Sequence, residues 1–365
     1  MNNDYKTVLS ILKYNTDQNI IKVLRETNVN WINVLGYLTY HRVAGLAYEK
    51  VNSVNIRLFD YPVFFTTYLI NQAQKIRTIE QHKWISMITR EFKNKNIKHV
   101  FLKGAVLSST LYSYGSRASN DIDLLINKSD IEEVTKILNN LGFAQGKYDY
   151  KNNRIDEFTD EEKKEIINLR GETPSFIMIS TNPTIKTIDV DVNFSLNWDP
   201  NFDEKTVNDF LDKRILIENK TTGEEIYSLC YEHNFIELCI HLYKDSSLID
   251  IIKKRKVLDL YKFVDIYYFI MKYFHEIDIN NLYLEISKYK LDDYIFFSLM
   301  YVINIFPDAN IDEVNFLINK LNPKENILNC IFDQYDENIT MTTNKDILER
   351  IFSYDLIKCY TEEEK

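Results

Sequence analysis

Residues His99 to Phe143 constrain this chain more than any other stretch. The apolar run Lys98 to Leu102 ends in Lys103 and Gly104, Ala105 to Leu111 has helical spacing, and Asp121 and Asp123 open a second apolar run through Ile126. Short apolar runs bounded by polar residues read as strands, and three- and four-residue spacing reads as helix. Ser129 is the expected N-cap of a further helix through Leu141, with Glu132 closing a capping box and Gly142 stopping it. The segment therefore predicts strand, glycine, helix, Asp-x-Asp strand, helix.

Residues two apart in a strand share a face, so Asp121 and Asp123 project together while Ile122 and Leu124 face away. Two such carboxylates repel one another unless a cation lies between them. Mg²⁺ suits that place because it takes hard oxygen ligands, commonly one or two carboxylates plus substrate phosphates. Two such ions would activate an attacking hydroxyl and neutralise a triphosphate and its pyrophosphate leaving group. A third carboxylate is expected from Ile188 to Leu196, where Asp189, Asp191 and Asn193 alternate onto one face. Either aspartate can complete the metal site or take the acceptor's proton.

Lys103 and Gly104 stand where the first strand passes into a helix, whose N-terminal N–H groups and positive dipole attract an anion. Glycine admits a phosphate close to the backbone and lysine adds a point charge. Arg117, four residues before Asp121, is a second candidate for the triphosphate, and Ser108 and Ser109, one turn into the helix, are further candidates.

Eight glycines and six prolines in 365 residues disfavour a turn-rich all-β fold and favour helices. Tyr5 to about Lys95 carries amphipathic helical spacing, Lys147 to Asp160 reads as a polar loop, and Ser175 to Ser180 and Thr184 to Leu196 read as two strands able to form a hairpin. From Asp203 onward helices are expected, around Ile226 to Tyr243, Lys256 to Tyr273, Leu282 to Ile305 and Ile347 to Lys358. The resulting expectation is an α+β protein. An N-terminal helical segment, residues 1–95, precedes a small mixed α/β core, residues 96–200, and a C-terminal helical domain, residues 201–365.

A net charge of −10 disfavours binding along a nucleic-acid backbone, and the densest basic cluster, Lys253, Lys254, Arg255 and Lys256, is short. The four cysteines form no CxxC pair and the six histidines no HExxH, which points away from zinc or a disulfide framework and towards reduced thiols in the cytoplasm. Met1 to Ile11 shows no signal-peptide pattern, and the most apolar long stretch, Val257 to Phe274, is broken by Asp259, Lys262, Asp265 and Lys272, too polar for a bilayer span. His41 and Arg42, at a helix end, read as packing and capping groups in preference to substrate contacts, and His233 and His241 as structural histidines.

Leu102-Lys103-Gly104 through Arg117, Asp121-Ile122-Asp123-Leu124-Leu125 and Leu141-Gly142-Phe143 resemble the signature of the uncharacterised bacterial nucleotidyltransferase-like family within the DNA polymerase β-type nucleotidyltransferase superfamily. Trp31 to Lys50 is similar to that family's N-terminal helical segment, Asp191 to Leu196 to its later Asp strand, and Leu258 to Ile270 to its C-terminal helices. The likeness thus spans most of residues 5–275 and leaves 276–365 unassigned.

The resemblance implies a polymerase β-like core in which Asp121 and Asp123 bind Mg²⁺ and Asp191 is the third carboxylate, binding metal or serving as base. It departs in two places: the superfamily's Gly-Ser phosphate turn is Lys103-Gly104-Ala105 here, and Asn193 stands where the family often has histidine. The expected reaction moves a nucleoside monophosphate from an NTP to a hydroxyl or similar nucleophile of a small molecule, peptide or protein, with the flanking helical regions shaping the acceptor's surroundings. The rivals are a non-catalytic, antitoxin-like partner-binding module on the same fold and a toxin-like transferase acting on tRNA.

Overall fold

A computed structural model of the chain describes residues 2–15, 21, 24, 28–54, 59–197, 204–249, 258–333, 339–353 and 355–362. It is an α+β protein whose residues group into two compact units, Asn71–Asn234 and the combination of Met1–Ile70 with Phe235–Lys365.

The chain opens with helices α1 (Asn3–Ile11), α2 (Trp31–Tyr40), α3 (Ala44–Ser53) and the long α4 (Tyr61–Asn94). Asparagine caps start the first two: the Asn2 side chain accepts from the Asp4 N–H, and that of Asn30 from the Ile32 and Asn33 N–H groups. His41 follows α2 with no exposed surface, and burial lowers its pKa to about 3. The Arg42 guanidinium lies over the Tyr261 ring, 4.8 Å from its centroid, so both residues serve packing.

The unit Asn71–Asn234 is built on a sheet. Its elements in chain order are β1 (His99–Phe101), α5 (Lys103–Thr110), β2 (Asp121–Ile126), α6 (Ile131–Asn140), β3 (Ala144–Asp149), β4 (Arg154–Glu157), α7 (Asp160–Leu169), β5 (Phe176–Ile179), β6 (Thr187–Asn193), α8 (Glu204–Asp212), β7 (Ile215–Glu218) and β8 (Glu225–Ser228). The eight strands lie in the order β4-β3-β5-β6-β2-β1-β8-β7. The central β2–β6 pair is parallel, and β1 is antiparallel to β2.

One face of this sheet is the core: Ile122, Leu124 and Ile126 of β2 and Ile188, Val190 and Val192 of β6 pack with Ile85, Ile88 and Phe92 of α4 and Val134, Ile137 and Leu138 of α6. Each fully buried aliphatic or aromatic side chain contributes about 1.5–3 kcal/mol. Gly142 ends α6 at φ +94, with the Phe143 N–H bonded to Leu138 O, the left-handed stop that the sequence announces.

Three expectations are corrected. Ser129 does not cap α6: a 3₁₀ turn, Lys128–Asp130, precedes the helix, no side chain bonds its first turn, and Glu132 pairs instead with Lys136 at 2.6 Å, one helical turn on. Lys147 to Asp160 is not a loop but most of the β3–β4 hairpin, an edge whose polar side chains hide the strand pattern. The region after Asp203 is not all helix: β7 and β8 form a hairpin that pairs with β1 and extends the central sheet. Ile226, expected on a helix, is a core residue of β8.

The chain continues with α9 (Tyr231–Ser247), α10 (Leu260–Tyr273), α11 (Ile279–Lys288), α12 (Asp292–Ile305), α13 (Asp312–Lys320) and α14 (Ile347–Ile351), and a small sheet of β9 (Cys330–Phe332), β10 (Ile339–Thr342) and β11 (Thr361–Glu362). The helix expected from Lys256 is described from Leu260, and the basic cluster at 253–256 lies outside the described residues. The helical pattern from Leu282 to Ile305 is split between α11 and α12, and that from Ile347 to Lys358 between α14 and a 3₁₀ turn, Leu356–Cys359. In this unit Tyr267 stacks on Phe306 and Tyr5 on Phe352, with ring centroids 4.4 and 4.1 Å apart, which ties the two ends of the sequence together.

Candidate active site

Register decides what the acidic strands can do. In the parallel β2–β6 pair Asp121 is aligned with Asp189 and Asp123 with Asp191, so the alternation of each strand places four carboxylates on one face of the sheet. The intervening apolar residues, paired as Ile122 with Val190 and Leu124 with Val192, go to the core. Leu125 is aligned with Asn193, whose Nδ2 donates to Leu124 O at 3.1 Å, so this asparagine locks the strand pair.

Crowding has an electrostatic consequence. Burial, together with the charges of Asp121 and Asp123, pushes the Asp191 carboxyl up to about 7, with Glu172 adding to the shift and a hydrogen bond from Ser175 opposing it. Burial also raises Asp189, against a hydrogen bond from Thr187 and the charge of Arg77. Asp189 Oδ1 is buried without a hydrogen-bond partner.

Lys103 begins α5 at φ +45, in the left-handed region that costs a non-glycine residue about 1–2 kcal/mol. Its Nζ donates to Asp123 Oδ1 at 2.9 Å, with both side chains largely buried. No side chain caps the first turn of α5, since Leu102 is the N-cap. A Cβ on Gly104 would collide with Ser119 Oγ and sit 2.7 Å from Arg117 Nη1, so glycine here lets the start of the helix press against the Arg117 guanidinium.

The structure thus brings Lys103, Gly104 and Arg117 together at the start of α5, and Lys103 to the carboxylates. Ser108 lies elsewhere. It is buried, donates to Gly104 O at 2.6 Å, and meets His82 Nε2 at 2.7 Å, while Asn219 bonds His82 Nδ1 at 2.8 Å. Ser109 is also buried, 3.5 Å from the same imidazole. Sequence reasoning missed Arg77, Glu172 and Ser175. Arg77 sits on a long helix among many polar residues, and only the fold shows that Thr173 bonds Val192 of β6, and Gly171 the Phe194 and Ser195 N–H groups just past it, which carries this short segment beside Asp191.

Hard carboxylate oxygens, one of them unpartnered, and an aspartate raised by burial and by its neighbours' charge fit a divalent cation of the magnesium type. Among the described residues no three His, Cys, Asp or Glu side chains converge on one point. A cation held by these aspartates would need further oxygens, such as those of a substrate phosphate, to complete its coordination.

Several comparisons bear on this geometry. No curated protein matches the chain in sequence. An antigenic nucleotidyltransferase-like protein from Paracoccidioides brasiliensis is similar in structure at 13% identity and a TM-score of 0.31, over 68% of this chain and 96% of that one. The pattern of the family described as uncharacterised nucleotidyltransferase matches residues 27–307, from α2 past the carboxylate strands to α12. The chain belongs to this uncharacterised nucleotidyltransferase family.

Proposed function

We propose that this protein is a Mg²⁺-dependent nucleotidyltransferase that moves a nucleoside monophosphate from an NTP to a hydroxyl or similar nucleophile and releases pyrophosphate. The observation that carries the reading is the register that sets Asp121 and Asp123 opposite Asp189 and Asp191 on one sheet face. Asp121, Asp123 and Asp191 would hold Mg²⁺, with two ions expected. When bound, it neutralises the triphosphate and the leaving pyrophosphate and lowers the pKa of the attacking hydroxyl.

The chain's own residues do the rest. Lys103, which here pairs with Asp123, would supply its ammonium to the phosphates, and the uncapped start of α5 and the Arg117 guanidinium would add donors. Ser108 holds the turn at Gly104 through the carbonyl it bonds. Asp191, once a cation compensates its neighbours, is the carboxylate that can accept the acceptor's proton.

Residues 96–200 form the catalytic core in this reading, and the acceptor is a small molecule or a peptide or protein side chain. A cytoplasmic setting agrees with four free thiols. Among the described residues no helix is long and apolar enough to cross a membrane. The test is to supply NTPs labelled at the α- or the γ-phosphate with Mg²⁺ and a cell lysate. Label passing to an acceptor from the α-position only is the expected result; transfer from the γ-position only would make the protein a kinase.

A further inference from the structure

The carboxylate face does not end at β6. Beyond it, a cavity of about 390 Å³ lies under the β3–β4 hairpin and α7, and Asp189 belongs to its wall as well as to the carboxylate row. That volume falls in the usual range for a small-molecule site. The register shows why the cavity is on this side of the sheet: Ile177 of β5 is aligned with Asp189, and Ala144 of β3 with Ile177, so Gly146 and Tyr148, two and four residues on, share their face. Gly146 permits a close approach, because a Cβ there would collide with Asp156 O on β4.

Three features of the wall specify an occupant. Tyr148, Phe158, Ile166 and Ile177 offer apolar and aromatic surface suited to a flat ring. Lys147 and Arg170 place cations at the rim, Arg170 paired with Glu172 of the same wall at 3.4 Å, and the Lys147 ammonium lies over the Phe158 ring, 5.4 Å from its centroid. Asp189 Oδ1, buried and without a partner, calls for a hydrogen-bond donor. Ser175, also in the wall, bonds Asp191 and so connects the cavity to the carboxylate assigned to proton transfer.

The phosphate-binding groups lie in the opposite direction along the sheet, at α5 beside β2 and β1. Triphosphate and cavity therefore flank the carboxylates from two sides, as donor and acceptor of a transfer must.

We propose that this cavity is the acceptor site, and that it takes a compact aromatic molecule bearing a hydroxyl and an anionic substituent. The inference rests on the nucleotidyl-transfer reading and places the acceptor within the sheet unit in place of the flanking helical regions. Asp189, shared by the cavity wall and the carboxylate row, orients the acceptor so that its O–H points to Asp191. In the transfer that proton passes to Asp191, the oxygen lone pair forms a bond to the α-phosphorus, and the bond from the α-phosphorus to the α,β-bridging oxygen breaks, its electron pair leaving with pyrophosphate.

The experiment uses the full chain with Mg²⁺, α-labelled NTP and para-hydroxyphenylacetate as probe. Phenylacetate, lacking the hydroxyl, phenol, lacking the anion, and glycerol, lacking the ring, serve as controls. Label is expected on para-hydroxyphenylacetate, less on phenol and none on phenylacetate. Ile166→Trp, which fills the cavity, and Phe158→Ala, which removes its aromatic wall, should each cut that transfer by about tenfold or more, a loss of at least 1.4 kcal/mol, while NTP binding stays at the wild-type level. Equal transfer in both variants, or no transfer to either aromatic hydroxyl while NTP still binds, overturns the acceptor assignment. Failure of the wild type to bind Mg²⁺–NTP at all overturns the underlying reading, so the two failures are distinct.

Discussion

Lys103 and Asp123 form an ion pair at 2.9 Å that joins the first residue of α5 to the second carboxylate of β2. It occupies an oxygen that the proposed chemistry assigns to a cation, and it is formed by a residue held at φ +45.

Replacing Lys103 by Met leaves Asp123 buried beside Asp121 and Asp191 with the ammonium gone. Removing one partner of a buried pair costs about 3–5 kcal/mol, less here because both groups keep some exposure. Thermal unfolding should show a lowered midpoint, and Mg²⁺ should raise it more in Lys103→Met than in wild type, since the cation replaces the lost charge. An equal or smaller effect of Mg²⁺ in the variant would show that the ammonium and the cation do not share this oxygen.

The two aspartates of β6 should differ. Asp191→Asn is expected to lose most of the single-turnover rate, because it removes both a ligand and the proton acceptor. Asp189→Asn is expected to lose much less and to act mainly on the acceptor's KM. The reverse ranking would move the third carboxylate to Asp189.

His99 provides a pH dependence of stability. It is 1% exposed in β1, and burial, opposed by a hydrogen bond to Ile97 O, lowers its pKa from 6.5 to about 4. The unfolded chain thus takes up a proton at higher pH than the folded one, so the stability is intact above about 6.5 and lost as pH falls towards 4. The loss is at most about 3.5 kcal/mol. His41, lowered to about 3, adds a like contribution. His99→Phe, placed among Phe92, Phe101 and Tyr227, should flatten the acid limb of an unfolding-midpoint-against-pH curve. An unchanged limb would mean that His99 is not neutral in the fold.

Nucleic acid should not be the acceptor. At a net charge of −10, gel-shift titrations with tRNA at two salt concentrations should show no tight complex at physiological salt. Tight binding that weakens steeply with salt would put the tRNA reading first.

The centre of the fold was legible because its signals are local. The apolar runs of β1 and β2, the positive-φ stop at Gly142, and the alternation in Ile188 to Asn193 each act over a few residues. What was hidden is long-range or polar. The β3–β4 hairpin carries Lys147, Asp149, Arg154, Asp156 and Glu157 on an edge, so it looks like a loop. The pairing of β8 with β1 joins Phe101 to Ser228 across more than a hundred residues, beyond the reach of any periodicity. Alternation put Asp189 and Asp191 on one face, yet only the register aligns them with Asp121 and Asp123. Nor does a Lys-Gly dipeptide announce that its lysine turns back onto an aspartate.

The most direct test is Mg²⁺-dependent release of pyrophosphate from NTP by wild type, Asp121→Asn and Asp123→Asn, with circular dichroism of each to establish folding. The account predicts turnover in wild type and its loss in both folded variants, together with loss of Mg²⁺-supported NTP binding. Wild-type metal and nucleotide binding with undiminished turnover in both variants would contradict it.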